Sequence, residues 1–166
     1  YLFNDGYVGL GAVSSQSIKS DASGLGYYSF GPRIGLQKDL SPKDRINLST
    51  VFEWRNYPGN SLNDATALMF DGTWSHGFSA DLNVSLSAGF DRVKSDIDYD
   101  SYSSYSAGLG IYRELPLGIT AYLHGQVRHA EFDGLFPIYN RVRKDTMYTG
   151  GISLTKRNIT IWGYAT

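Results

Sequence analysis

Residues 79–91 read SADLNVSLSAGFD, and hydrophobic positions fall on every second residue. Leu82, Val84, Leu86, Ala88 and Phe90 lie on one side. Asp81, Asn83, Ser85, Ser87, Gly89 and Asp91 lie on the other. A strand repeats every two residues and a helix every 3.6, so this run predicts a strand with one apolar and one polar face. The pattern recurs at 118–130, where Ile119, Ala121, Leu123 and Val127 oppose Thr120, Tyr122, His124, Gln126 and Arg128. At 45–55, Ile46, Leu48, Phe52 and Trp54 oppose Asn47, Ser49, Glu53 and Arg55. At 28–37, Tyr28, Phe30, Ile34 and Leu36 oppose Ser29, Gly31, Arg33, Gly35 and Gln37. With weaker segments included, the chain predicts roughly nine strands, near 7–18, 25–38, 45–57, 65–75, 79–92, 102–114, 118–132, 145–155 and 158–166.

The connections fall into two kinds. Short ones are expected at HGF (76–78), PLG (116–118), KRN (156–158) and the somewhat longer DLSPKDR (39–45). Long polar ones are expected at 57–64, 93–101 and 133–144. From the second strand onward short and long alternate, as in barrels with tight turns at one end and longer loops at the other. The strands are also long: a tilted strand needs about 9–11 residues to cross a bilayer, against about 5–6 in a typical soluble sheet. Placing residue 74 opposite residue 80 across HGF sets Gly72, Phe70 and Leu68 against Leu82, Val84 and Leu86. Across KRN, Leu154 opposite Ile159 sets Ile152 against Ile161. Both pairings put apolar on apolar, and a slip of one residue would mix the faces.

An apolar face must be buried or meet lipid. A lipocalin-like barrel or a β-sandwich would turn it inward. Strand length, loop asymmetry and a polar face carrying bulky charges among small residues favour a transmembrane barrel instead. The fold class read from the chain is therefore all-β, an antiparallel up-and-down transmembrane β-barrel, an incomplete one of roughly nine long strands. The lipid-facing candidates are Leu68, Phe70, Trp74, Leu82, Val84, Leu86 and Phe90. The lumen-lining candidates are Arg33, Gln37, Glu53, Arg55, Glu114, His124, Gln126 and Arg128. Aromatics near strand ends (Tyr27, Tyr28, Trp54, Tyr57, Trp74, Phe90, Tyr102, Phe132 and Tyr148) are expected to form interfacial girdles.

Composition narrows the choice. Hydrophobic residues make up 42% and charged residues 19% of 166, too apolar for a disordered chain. Yet mean hydropathy is −0.27, and no run approaches the ~20 apolar residues of a spanning helix. Thirteen Tyr and 19 Gly suit long strands, and tyrosine favours membrane interfaces. Net charge is −1 with scattered basic residues, so no basic stripe for nucleic acid is present. The absence of cysteine removes disulfides and thiolate metal sites.

Candidate chemistry is sparse. His124 and His129 are five apart on one expected strand and face opposite ways, so they cannot share a metal, and His76 is expected in a turn. The acidic run Asp96, Asp98, Asp100 opens like a calcium-binding loop, but Ser101 and Ala107 stand where Gly and Glu are required. No G-x-S-x-G is present, and the GLG fragments lack a third glycine and a following helix. No catalytic residue, metal or cofactor is assigned. The densest positive charge is Arg141, Arg143, Lys144 and Asp145, expected at a loop-to-strand junction that either pairs with nearby acids or touches lipopolysaccharide phosphates or an acidic client.

The stretch GLGIYRELPLGITAYLHGQVRHAEFDG, followed by RVRKDTMYTGGISLTKRNITIWGYAT, resembles the C-terminal barrel of the surface lipoprotein assembly modifier family. Residues 25–57 fit earlier strands of the same barrel. The resemblance implies a Gram-negative outer-membrane protein in which a periplasmic tetratricopeptide-repeat domain precedes the barrel. Such proteins help lipoproteins, and in some members soluble haem- or metal-acquisition proteins, to reach the cell surface. The expected partners are outer-membrane lipids, lipopolysaccharide and a client protein. Two departures are visible: no helical repeat region precedes the strands, and Thr166 is not an aromatic terminal residue. Residues 1–166 are therefore expected to be one barrel domain, a fragment lacking the repeat domain and closing strands. A general porin of another family and an outer-membrane barrel hydrolase are the alternative readings.

Overall fold

The computed structural model describes residues 2–3, 6–17, 27–58, 61–138, 140–156, 160–161 and 164–165. Eight long antiparallel strands form one sheet: β2 (Gly6–Ser17), β3 (Tyr27–Asp39), β4 (Asp44–Asn56), β5 (Ala65–Ser79), β6 (Leu82–Ser95), β7 (Tyr102–Leu115), β8 (Ile119–Phe136) and β9 (Arg141–Lys156). A two-residue β1 (Leu2–Phe3) pairs with the start of β2. Each strand neighbours the next in sequence, and no pairing among the described residues joins β9 back to the first strands. The result is an all-β, up-and-down sheet with no α-helix among the described residues, open as in an incomplete barrel.

Three details of the sequence-based expectation are corrected. Residues 76–78 lie within β5, and the turn is Ala80–Asp81, closed by the Ser79 hydroxyl donating to Asp81 at 2.5 Å. The register therefore sets Phe70 opposite Phe90 and Trp74 opposite Leu86, with a bulge between Gly77 and Ser79. His76 accordingly stands in a strand, its Nδ1 2.7 Å from Asp44 Oδ1, and it stacks on Trp74 and meets Phe78 edge-on. The expected long loop at 133–144 shrinks to 137–140, because β8 and β9 continue beyond the other strands as a projecting hairpin. The described residues of the last segment do not pair with β9. Its β10 (Thr160–Ile161) pairs with β11 (Tyr164–Ala165), and the proposed partner Ile159 lies outside the described residues.

Register propagates the two faces across the whole sheet. On one face, Leu36, Leu48, Gly72, Ala88, Ala107, Val127 and Tyr148 follow each other strand by strand. Phe70, Phe90 and Tyr105 make a neighbouring row, and Trp74, Leu86 and Leu109 another. Leu10, Phe30, Ile34, Leu48, Phe70, Leu86, Leu109, Leu123, Tyr148, Ile152 and Leu154 are all exposed there. A continuous apolar surface of this extent marks contact with a partner or membrane. It ends in charge on both sides: Arg92 with Asp133 and Lys144 with Glu131 toward the loops, and Lys38, Arg113 and the Asp44–His76 pair toward the short turns.

Buried residues collect on the opposite, polar face. Ser29, Ala67, Val93, Ser95, Ser104 and Ala130 are all small and lie toward the loop end. Between β6 and β7, a methyl group on Gly89, Gly108 or Gly110 would meet the Ser106, Ser87 or Ser85 hydroxyl at 2.7, 2.6 or 2.5 Å. The serines fill the space the glycines leave, so these strands pack with almost no side-chain bulk on that face, which favours curvature.

Candidate functional site

All eight candidates of the polar set share the polar face. Gln37 pairs in register with Asn47, Glu53 with Ala67, Gly108 with Gln126, Gly110 with His124, Ser106 with Arg128, and Glu114 with Thr120. Arg33 and Arg55 stand on the same parity of β3 and β4 as Gln37 and Glu53. The seven apolar candidates share the other face. They do not form one cluster: Leu68 and Phe90 lie toward the loops, Leu82 toward the turns.

The polar face has two unlike ends. Near the short turns it is open, and a cavity of about 1190 Å³ is lined by Asp39, Arg45, Asn47, Ser75, Asn83 and Phe78, among others. Gln37 accepts from the Tyr7 hydroxyl at 3.0 Å, and Glu114 accepts from the Tyr112 hydroxyl at 2.9 Å. Arg45 donates to Asp39 at 2.5 Å. Higher up, His124 lies over Gly151, where its Cε1 would be 2.7 Å from an added methyl, and it stacks on Tyr122 at 5.4 Å. Its Nδ1 is buried with no hydrogen-bond partner among the described residues.

Toward the loops the face is filled. Arg55 donates to Glu53 at 3.2 Å and lies 5.7 Å from the Tyr27 ring centre, and Tyr27 stacks on Tyr57 at 5.1 Å. Arg128 donates to Asp91 at 2.9 Å and to the Ser104 hydroxyl at 3.1 Å, while Ser104 donates to the same carboxylate. The Arg128 guanidinium sits 5.6 Å from the Tyr102 ring, Tyr102 lies 5.3 Å from Phe132, and Arg143 lies 4.8 Å from Phe132. Guanidinium groups over ring faces gain cation–π attraction as well as their ion pairs.

The loops hold this layer in place. Asp64 accepts the Tyr57 amide at 2.8 Å and the Asn56 side chain at 3.2 Å. Ser101, 2% exposed, accepts the Ser95 amide at 2.9 Å and ties the loop at 96–101 to the end of β6. Gly134 permits that loop to lie against β8, since a methyl group there would be 2.6 Å from the Tyr99 nitrogen. Burial raises the Tyr57 hydroxyl above its ordinary range, and burial likewise raises the Asp100 carboxyl, which Arg143 partly opposes.

Tyr27, Tyr102 and Phe132 therefore belong to the polar face and not to an outer girdle. Parity carried the signal: Tyr27 is in phase with Arg33, Tyr102 with Ser104, and Phe132 with Arg128, whereas Tyr28, Trp54 and Phe90 are in phase with the apolar set. The cluster at Arg141–Asp145 lies in β9 and divides between faces: Arg143 pairs with Asp145 on the polar side, and Lys144 reaches Glu131 at 2.6 Å on the apolar side. His129 is on the apolar side, 2.9 Å from Thr146 Oγ1. Asp98–Asp100 is a 3₁₀ turn, and no His/Asp/Glu group among the described residues is arranged to hold a metal.

A family model described as surface lipoprotein assembly modifier matches residues 4–165, nearly the whole chain. No curated protein and no solved structure matches the chain significantly.

Proposed function

The chain belongs to the surface lipoprotein assembly modifier family, and from that premise we propose that it is part of an outer-membrane barrel through which client proteins reach the cell surface. A role in surface lipoprotein assembly comes with the family; the membrane, the passage and the client are the proposal. One observation supports it above the others: an exposed apolar face bounded by charge at both ends, backed by a polar face. Leu82 to Phe90 covers eight residue steps of β6, roughly 26 Å along a strand at ~3.3 Å per residue. At a tilt of about 40° that is about 20 Å along the membrane normal, close to the ~25 Å band of outer-membrane barrels.

In this reading the polar face lines the passage and the apolar face meets lipid. The charged pairs beyond the band contact headgroups, with Lys144 and Arg92 near lipopolysaccharide phosphates. The chain's own residues hold and guide a polypeptide and perform no covalent chemistry. Lipoproteins are the proposed clients, and soluble haem- or metal-acquisition proteins a second class. The test is deletion and complementation of the full-length gene, scoring a neighbouring lipoprotein on intact cells by antibody binding and protease sensitivity. Loss of display that the gene restores supports the proposal. Unchanged display, or a parent protein that remains soluble without detergent, contradicts it.

A further inference from the structure

The open and filled ends of the polar face carry a consequence for transport. Side chains from five separate elements converge over one patch: Tyr27 from β3, Arg55 from β4, Tyr57 from the following loop, and Tyr102 and Arg128 from β7 and β8. Beneath them β5 and β6 offer Ala65, Ala67, Val93 and Ser95, and Ala67 and Val93 are 1% and 5% exposed although they sit on the face that is open elsewhere. Glu53, Ala67, Val93, Tyr102 and Phe132 form one continuous register row from β4 to β8. Arg55 lies within electrostatic reach of Tyr102, three strands away. The large side chains thus lean inward over the small ones.

We propose that Arg55, Tyr57, Tyr102 and Arg128 form a constriction at the loop end of the passage, closed to small solutes at rest and moved aside by a passing polypeptide. The inference rests on the translocation reading above. Its chemistry suits that task. Each guanidinium is held by a carboxylate (Glu53 or Asp91), so the layer carries no net charge that would retain an acidic or basic segment. The ring faces offer contact to any side chain without sequence-specific hydrogen bonds. The seal rests on Tyr57, whose backbone amide is held by the loop carboxylate of Asp64 and whose ring packs on Tyr27, and on ion pairs partly open to water, so it can part without breaking the strand ladder. The short-turn end, with its wide cavity, is where a client enters.

The test uses the full-length protein in planar lipid bilayers and in cells. Wild type is expected to conduct poorly. Tyr57→Ala with Tyr102→Ala is expected to raise single-channel conductance several-fold and to sensitise cells to a bulky antibiotic that the outer membrane excludes. Tyr57→Ala alone, a loop substitution that leaves every strand intact, is expected to give part of that increase. Leu117→Asn, in the exposed turn between β7 and β8 and outside the cavity lining, is expected to leave conductance unchanged. Wild-type conductance from both aromatic variants, with heat-modifiable mobility showing that they are folded, overturns the constriction. Client display measured in the same strains separates the two ideas: display lost on gene deletion but conductance unmoved by the variants leaves translocation standing and removes the constriction.

Discussion

Arg128 on β8 donates to Asp91 on β6 across the intervening strand β7, whose Ser104 donates to the same carboxylate. The link skips a strand, so it sets local curvature as well as charge balance. Removing one partner of a half-buried pair leaves the other poorly solvated and costs about 1–3 kcal/mol. Arg128→Ala and Asp91→Asn are each expected to lower the urea midpoint of the lipid-reconstituted protein by that order. The double variant is expected to cost less than the sum, since the two residues share one interaction. Strict additivity would show that the pair is not coupled.

The apolar face predicts an asymmetry between adjacent positions. Leu86→Arg places a charge in the middle of the band and is expected to cost ~2–4 kcal/mol in a bilayer. Ser87→Arg, one residue later on the polar face, is expected to assemble nearly as wild type. Urea titration in lipid vesicles compares them, and equal losses would contradict the face assignment.

Leu117 turns the β7–β8 hairpin with φ of 67°, a left-handed conformation that costs a leucine about 1–2 kcal/mol. It is 83% exposed, so little packing offsets the strain. Leu117→Gly or Leu117→Asn is expected to stabilise the hairpin by roughly 1 kcal/mol, measured as a raised urea midpoint. A loss of stability would show that the side chain is held by a contact outside the described residues.

Burial raises the Asp100 carboxyl. A folded value above the unfolded one means that this group adds stability below its ordinary range, near 3.8, and loses that contribution as pH rises through the folded value. Asp100→Asn is expected to remove that loss, so the variant should gain relative to wild type on going from acid toward neutral pH. Protease cleavage in the loop at 96–101, followed across that interval, reads the difference. Identical profiles would exclude the effect.

What was legible in the sequence was parity. Leu82 through Phe90 declares its faces whatever the neighbouring strand does, because alternation needs no partner. Register was less legible for the same reason. Placing Phe70 opposite Val84 or opposite Phe90 keeps apolar on apolar, since the two pairings differ by an even number of residues. Ser79 and Asp81, which make the turn by a side-chain hydrogen bond, decide between them. The layer of Arg55, Tyr57, Tyr102 and Arg128 was hidden differently. Arg55 and Tyr57 are close in sequence, but Tyr102 follows Tyr57 by 45 residues and Arg128 follows Tyr102 by 26, and curvature brings them together, which no local pattern encodes. His124 falls on the polar face by its parity in β8, but its ring lying over Gly151 depends on the β8–β9 register.

The central claim is that one face of this sheet meets lipid and the other water. Residues 1–166 contain no cysteine, so single cysteines can be introduced at each position from 82 to 91 in a full-length protein in which any cysteine elsewhere is first replaced by serine. Labelling with a water-soluble maleimide and quenching of an attached fluorophore by brominated lipid then read the two environments. The account predicts quenching at 82, 84, 86, 88 and 90 and aqueous labelling at 83, 85, 87, 89 and 91. Labelling without alternation, or aqueous labelling at the even positions, would contradict it.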